Sequence, residues 1–244
     1  MASYKQTIRS LARQKGPLIL ANDYDAGGPA LESKTLRNIR TLHRHLCGIK
    51  FNFHLLLPLG QGQIKKITKT AHDCDLVTIA DIKLNDIGNT NNVAVERLWD
   101  MGFDAVIVNP MMGPANLQKL VKLSHKNAKG IISLCHMSSP EAKVTYELPV
   151  GKGSVPLFHH FLDWAVKMQT DGIIVGATFP EIVRFCKKKG KGALNIYSPG
   201  IGTQGGDVRQ ALSAGSDYLI VGRTILTAKD PAIAASSLRE LCKR

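Results

Sequence analysis

The chain has 244 residues, of which 44% are hydrophobic and 21% charged; Lys+Arg 32 against Asp+Glu 19 leave a formal net charge of +13. This composition excludes a disordered chain and allows a sizeable core, and the basic balance suits an anionic ligand, a nucleic acid or an acidic surface without bearing on fold. No apolar run reaches the roughly 18 residues of a membrane span; the N-terminal MASYKQTIRSLARQKG lacks the apolar stretch of a signal peptide; and five scattered cysteines without a CxxC pair indicate neither a zinc site nor a disulfide framework, so a reducing cytoplasm is expected.

In chain order, short β-branched runs recur at Leu18–Asn22, Gly48–Phe53, Leu76–Leu84, Ala105–Asn109, Gly130–Cys135, Gly172–Gly176, Ala193–Tyr197 and Tyr218–Gly222. Most are separated by helix-length stretches with apolar residues at helical spacing. Leu31-Leu36-Ile39-Leu42-Leu46 is one such stripe and Phe158-Phe161-Leu162-Ala165-Met168 another. The strands are near-continuously apolar, as in a parallel sheet covered by helices on its outer face. About eight strand–helix units predict an α/β fold of the (β/α)8 TIM-barrel type, one domain over residues 1–244. A doubly wound open sheet is the rival. The barrel is preferred because polar residues collect at the C-terminal ends of the strands: Asp23, Lys50, Asp81 with Lys83, Asn109, Ser138 and Gly200–Gln204. In a barrel those ends converge; in an open sheet they would be strung along an edge. Ser138–Gly153 is expected as a long functional loop. The run Lys187-Lys188-Lys189-Gly190-Lys191 fits a helix C-terminus capped by Gly190 better than a nucleic-acid patch.

Asp81-Ile82-Lys83-Leu84-Asn85-Asp86 carries the strongest chemical signal. Alternation along a strand points Asp81 and Lys83 to one face. That face is expected to be the barrel interior, with Val77, Ile79 and Ile82 supplying apolar packing on the other positions. Two carboxylates and an ammonium beside an apolar core are costly unless paired, which favours function over structure. The second signal is Ser198-Pro199-Gly200-Ile201-Gly202-Thr203-Gln204-Gly205-Gly206-Asp207, whose glycines let backbone N–H groups approach an anion. About 20 residues on, Gly222-Arg223 follows the eighth strand, and the loops after strands seven and eight are the usual phosphate site of a barrel. Arg223 suits bidentate phosphate binding.

Asp81-Ile82-Lys83-Leu84-Asn85-Asp86-Ile87-Gly88-Asn89-Thr90 resembles the signature of the orotidine 5′-phosphate decarboxylase family. So do Leu18–Asp23, Ile49-Lys50, Met137–Pro140, Pro199–Asp207 and Val221–Arg223, in the family's order and over nearly the whole chain. The resemblance implies cofactor-independent decarboxylation of orotidine 5′-phosphate to UMP, with no metal. It makes Lys83 the general acid, Asp81 the carboxylate facing the substrate carboxylate, and Lys50 and Asp86 the rest of an alternating array. Asp23 and Lys50 match ribose-contacting positions, Ser138 the reader of the pyrimidine edge, and Gln204 and Arg223 the phosphate clamp, with Pro199, Gly202 and Gly222 in the same two motifs. A homodimer with shared sites is implied, Asp86, Ile87 and Thr90 crossing to the partner. Neither a nucleic-acid nor a membrane partner is implied.

The chain departs from the family at Asn22 and Tyr24, which flank Asp23 with polar groups, at Asp25, a second candidate ribose ligand, and at Glu141, where many relatives carry glycine. His54, His72, His136, His159 and His160 are expected in surface or packing roles, and Cys135 as a buried small hydrophobe. Two rivals remain. One is a metal-dependent sugar-phosphate decarboxylase or aldolase on the same scaffold. The other is a binding module suggested only by the charge.

Overall fold

Ile-, Leu- and Val-rich runs lose little by extending, and they gain burial on both faces when a neighbouring strand and a covering helix meet them. In the computed structural model, which describes residues 2–24, 30–151 and 153–243, eight such segments and two short Pro-Val pieces are strands. They are β1 (Leu18–Ala21), β2 (Gly48–Asn52), β3 (Val77–Leu84), β4 (Ala105–Val108), β5 (Gly130–His136), β6 (Pro149–Val150), β7 (Val155–Pro156), β8 (Gly172–Val175), β9 (Asn195–Pro199) and β10 (Tyr218–Val221). Eight of them close into a barrel in the order β1-β10-β9-β8-β5-β4-β3-β2, all pairs parallel. The remaining two, β6 and β7, form a small antiparallel hairpin. The eight barrel strands are those expected, shifted by at most two residues at either end.

Helices α1 (Tyr4–Lys15), α2 (Ala30–Leu42), α3 (Phe53–Leu56), α4 (Gln61–Asp73), α5 (Gly88–Asp100), α6 (Pro114–Lys126), α7 (Ala142–Thr145), α8 (Leu157–Met168), α9 (Pro180–Lys189), α10 (Val208–Ala214), α11 (Arg223–Leu226) and α12 (Pro231–Leu241) lie between and around the strands. Alternation sorts the side chains. Ile19, Ala21, Val77, Ile79, Ala105, Ile107, Ile132, Leu134, Ile174, Tyr197, Tyr218 and Ile220 fill the interior; Leu18, Leu20, Ala80, Val106, Val108, Leu219 and Val221 pack under the helices. Val77 and Ile79 therefore share the inward face of Asp81 instead of opposing it, as period two requires of odd-numbered residues on one strand.

The N-terminal segment, polar overall, forms a helix not foreseen from its composition. Ser3 opens α1 through a capping box with Gln6. Tyr4 and Ile8 on its buried face plug the base of the barrel, and Tyr197 Oη donates to Tyr4 Oη at 3.3 Å. Full burial of Ile8 contributes about 1.5–3 kcal/mol. Glycine admits the aromatic rings here: a Cβ on Gly130 would stand 2.3 Å from the Tyr4 ring, and one on Gly172 2.4 Å from the Tyr197 ring.

Three aspartates at this end hold neighbouring strands together. Asp104, Asp171 and Asp217 each stand one residue before a strand. Each accepts the backbone N–H of the second residue of the neighbouring strand: Thr78 at 2.8 Å, Ile131 at 2.9 Å and Ile196 at 2.8 Å. His72, His125 and Lys187 pair with the same carboxylates. Burial would raise the Asp104 carboxyl, but His72, Thr78 and Lys129 outweigh it and hold it low. The hydrogen bond to Asp171 raises His125 above the ordinary histidine value, against partial burial. The lysine run ends α9 as expected. Gly190 keeps right-handed backbone, however, and the left-handed turn falls on Lys191 and Gly192.

Candidate active site

The strand ends enclose a cavity of about 810 Å³ at the opposite end of the barrel. Asp23, Lys50, Asp81, Lys83, Ser138, Pro199, Gln204, Gly222 and Arg223 all line it. Its floor is a chain of charges. Lys50 Nζ donates to Asp81 Oδ2 at 2.9 Å and Lys83 Nζ to Asp81 Oδ1 at 2.9 Å, while Asp23 lies 3.9 Å from Lys50. Lys50 is 4% exposed and Asp81 8%, so each is tolerable only because the other is there. Burial would raise the Asp81 carboxyl; the two lysines overcome this and keep it below the usual carboxylate range. Asp81 is thus a fixed anion between two cations.

Lys83 reaches this position through a break in the strand. The pairing of β3 with β4 shifts register between Asp81 and Leu84, and Lys83 adopts φ 45°, a left-handed conformation that L-residues avoid. Simple alternation gave the right direction for the wrong reason: the bulge, not the pleat, turns the side chain back towards Asp81. Such strain is characteristic of functional positions.

The far wall is built by β5, β9 and β10. Ser138 Oγ donates to Gln204 Oε1 at 2.9 Å, and Thr178 Oγ1 holds the Ser138 carbonyl at 2.9 Å. The glycine loop folds on itself, with Gly206 N–H donating to Gly200 O at 2.9 Å and Gly202 N–H to Gly206 O at 2.8 Å. Thr224 clamps it: its hydroxyl accepts from Thr203 N–H at 3.2 Å and donates to Ile201 O at 3.2 Å. Gly202 supports this loop without lining the cavity; a Cβ there would meet Thr224 Oγ1 at 2.2 Å. Arg223 opens α11 beside it.

Asp86, Ile87 and Thr90 do not line the cavity of their own chain. The Asp86 carboxylate accepts from the Ile87 N–H at 2.7 Å, and Ile87 is 73% exposed. Exposed Phe53, Leu57, Ile87, Val93 and Met111 follow three consecutive barrel strands, β2, β3 and β4. Asp25 lies outside the described residues.

A sequence profile of the "Orotidine 5'-phosphate decarboxylase / HUMPS family" matches residues 16–238. The chain belongs to that family. It is 32% identical over 207 residues to the orotidine 5′-phosphate decarboxylase of Pyrococcus abyssi, covering 85% of this chain and 92% of that protein. It is also 32% identical over 210 residues to the Pyrococcus furiosus enzyme of the same name, covering 86% and 92%. The crystal structure of orotidine 5′-monophosphate decarboxylase from Methanocaldococcus jannaschii, complexed with the inhibitor BMP, is similar with a TM-score of 0.80 and 26% identity, covering 93% of this chain and 99% of that one.

Beyond the residues expected from the orotidine 5′-phosphate decarboxylase family, the cavity is lined by Tyr24, Asn52, His54, Thr203 and Thr227. Asn52 was open to detection, since it stands two residues beyond Lys50 on the same strand face, and its side-chain oxygen accepts from Lys50 Nζ. His54 lies past the strand end in α3, where periodicity gives no direction. His136 is fully buried among Tyr146, Phe158 and Phe179, as a packing role requires, with its ring nitrogens against Met137 O at 2.9 Å and Glu147 Oε1 at 3.2 Å. Burial pulls its pKa down, against the Met137 carbonyl and Glu147. Cys135 is likewise fully buried.

Proposed function

We propose that the protein decarboxylates orotidine 5′-phosphate to UMP in pyrimidine biosynthesis, using neither metal nor organic cofactor. The observation that carries this reading is the Lys50–Asp81–Lys83 chain on the cavity floor, facing Ser138, Gln204 and Arg223 across the cavity. Loss of carbon dioxide from C6 leaves a carbanion in the plane of the ring, with no carbonyl placed to delocalise it. An ammonium fixed beside that carbon stabilises the charge as it develops and then supplies the proton. Lys83 is that group, and Asp81 holds it in place. A second carboxylate brought against Asp81 is repelled, which favours its departure.

The other residues bind. Asp23 and Lys50 take the ribose, Ser138 the pyrimidine edge, and Gln204, Arg223 and the glycine loop the phosphate, with Pro199, Gly202 and Gly222 shaping the two loops. Phosphate binding far from the reacting bond supplies energy to close the Ser138–Gly153 and Ser198–Gly206 loops over the ring. The active unit is a homodimer of a cytoplasmic protein. Asp86, Ile87 and Thr90, which turn away from their own cavity, reach the partner's. The exposed apolar side chains after β2, β3 and β4 support that interface.

The test is loss of orotidine 5′-phosphate absorbance on adding purified protein in EDTA. Turnover under these conditions is expected. Activity abolished by the chelator and restored by magnesium would instead favour a metal-dependent sugar-phosphate decarboxylase or aldolase.

A further inference from the structure

The two polar departures beside Asp23 are joined by a single side chain. Just past β1, Asp23 and Tyr24 both line the cavity, while the Asn22 side chain is buried against α2. Asn22 is 0% exposed, Thr35 1% and Asn38 9%. Asn22 Nδ2 donates to Thr35 Oγ1 at 2.9 Å, and Asn38 Nδ2 donates to Asn22 Oδ1 at 2.9 Å. The same Asn38 amide nitrogen donates to Tyr24 Oη. A primary amide carries two N–H protons, and Asn38 spends one on each neighbour of Asp23. The backbone is held as well, since Asn22 N–H donates to Lys50 O at 3.0 Å. Buried amides are expensive unless bonded, so this group of side chains is fixed as a unit.

Asp23 is poised on the other side. Among the described residues its Oδ1 is buried without a hydrogen-bond partner, and the nearest cation, Lys50, stands 3.9 Å away. Such an oxygen is an open acceptor facing the cavity, and its direction is set by the backbone on which it sits.

We infer that Asn38 is a positioning residue: by gripping Asn22 and Tyr24 together it fixes the Asp23 carboxylate for a substrate hydroxyl. This rests on the reading of Asp23 as a ribose ligand. Asn38 reaches neither the cavity nor the reacting atoms. It acts through the segment that carries Asp23, and an aspartate in its place would offer no donor to either neighbour.

A double-mutant cycle on turnover of orotidine 5′-phosphate separates this role from a merely structural one. Asn38→Leu in the wild-type background is expected to lower kcat/KM about tenfold. In an Asp23→Ala background the same change is expected to cost less than twofold, because the carboxylate it positions has gone. Equal losses in the two backgrounds, or no loss in the wild type, would overturn the inference. If Asp23→Ala alone leaves kcat/KM unchanged, the ribose reading of Asp23 fails first, and that outcome is distinct. Should Asn38→Leu not fold, Tyr24→Phe, which removes only the hydroxyl that Asn38 grips, runs the same cycle. It is expected to show a smaller loss, again confined to the background that retains Asp23, and additive losses would count against the inference.

Discussion

Replacing Lys83 by alanine and by glycine should give two variants equally unable to turn over substrate but different in stability. Both lose the proton donor, and both leave Asp81 with Lys50 as its remaining cation, so the electrostatic penalty is common to the pair and cancels in the comparison. What does not cancel is the backbone. At φ 45° alanine retains a left-handed conformation that costs an L-residue about 1–2 kcal/mol. Glycine escapes that cost but loses about 0.5–1 kcal/mol more conformational entropy on folding. Taking the middle of each range, the glycine variant is more stable by about 0.75 kcal/mol, or about 1.5–3 °C in Tm for a chain of this size. Thermal unfolding at fixed pH, with turnover of orotidine 5′-phosphate assayed on the same preparations, measures both quantities. An alanine variant as stable as the glycine one would refute the argument that Lys83 stores backbone strain.

Arg223→Ala should lower kcat/KM for orotidine 5′-phosphate by about 1.5–3 kcal/mol, the worth of a charged hydrogen bond, and leave turnover of orotidine itself nearly unchanged; equal losses on both substrates would remove Arg223 from the phosphate site. Because Asp171 raises His125, the folded state binds that proton more tightly than the unfolded chain does. The stabilisation is therefore fully present below about 6.5 and lost as pH rises through the raised value. Urea midpoints of the wild type should fall across that window relative to those of His125→Ala, and parallel profiles would contradict the linkage. Mixing inactive Lys83→Ala with inactive Asp86→Ala subunits should restore part of the activity, since a mixed dimer holds one intact site; no recovery despite demonstrated subunit exchange would place Asp86 in its own chain's chemistry.

The barrel was legible because its strands are apolar on both faces and its helices on one, so the alternation of the two patterns survives in a single sequence. The floor of the site was legible for a related reason: Lys50, Asp81 and Lys83 break apolar runs where only paired charges are tolerable. What the sequence hid was mostly geometry between distant segments. The Lys83 bulge has no glycine or proline to mark it. The α1 plug is made by two residues, Tyr4 and Ile8, within a polar stretch. Thr224 clamps a loop 21 residues away through one hydroxyl. Asn22 and Tyr24 were visible as departures, but the partner that explains them, Asn38, is an unremarkable polar residue in the middle of a helix.

The aspartates at the base of the barrel divide its circumference unevenly. Asp104 locks β3 to β4, Asp171 locks β5 to β8, and Asp217 locks β9 to β10. Only β1 and β2 stand outside these three locked pairs; at the base they are held by backbone ladders and by the Cys47 thiol, which donates to Leu18 O at 3.3 Å, with no carboxylate lock among the described residues. Local opening follows the least reinforced seam, so amide exchange should run fastest in the two strands that deliver Asp23 and Lys50. Half of the charged floor is thus mounted on the part of the wall that yields first. The other half, Asp81 and Lys83, rides on a locked pair.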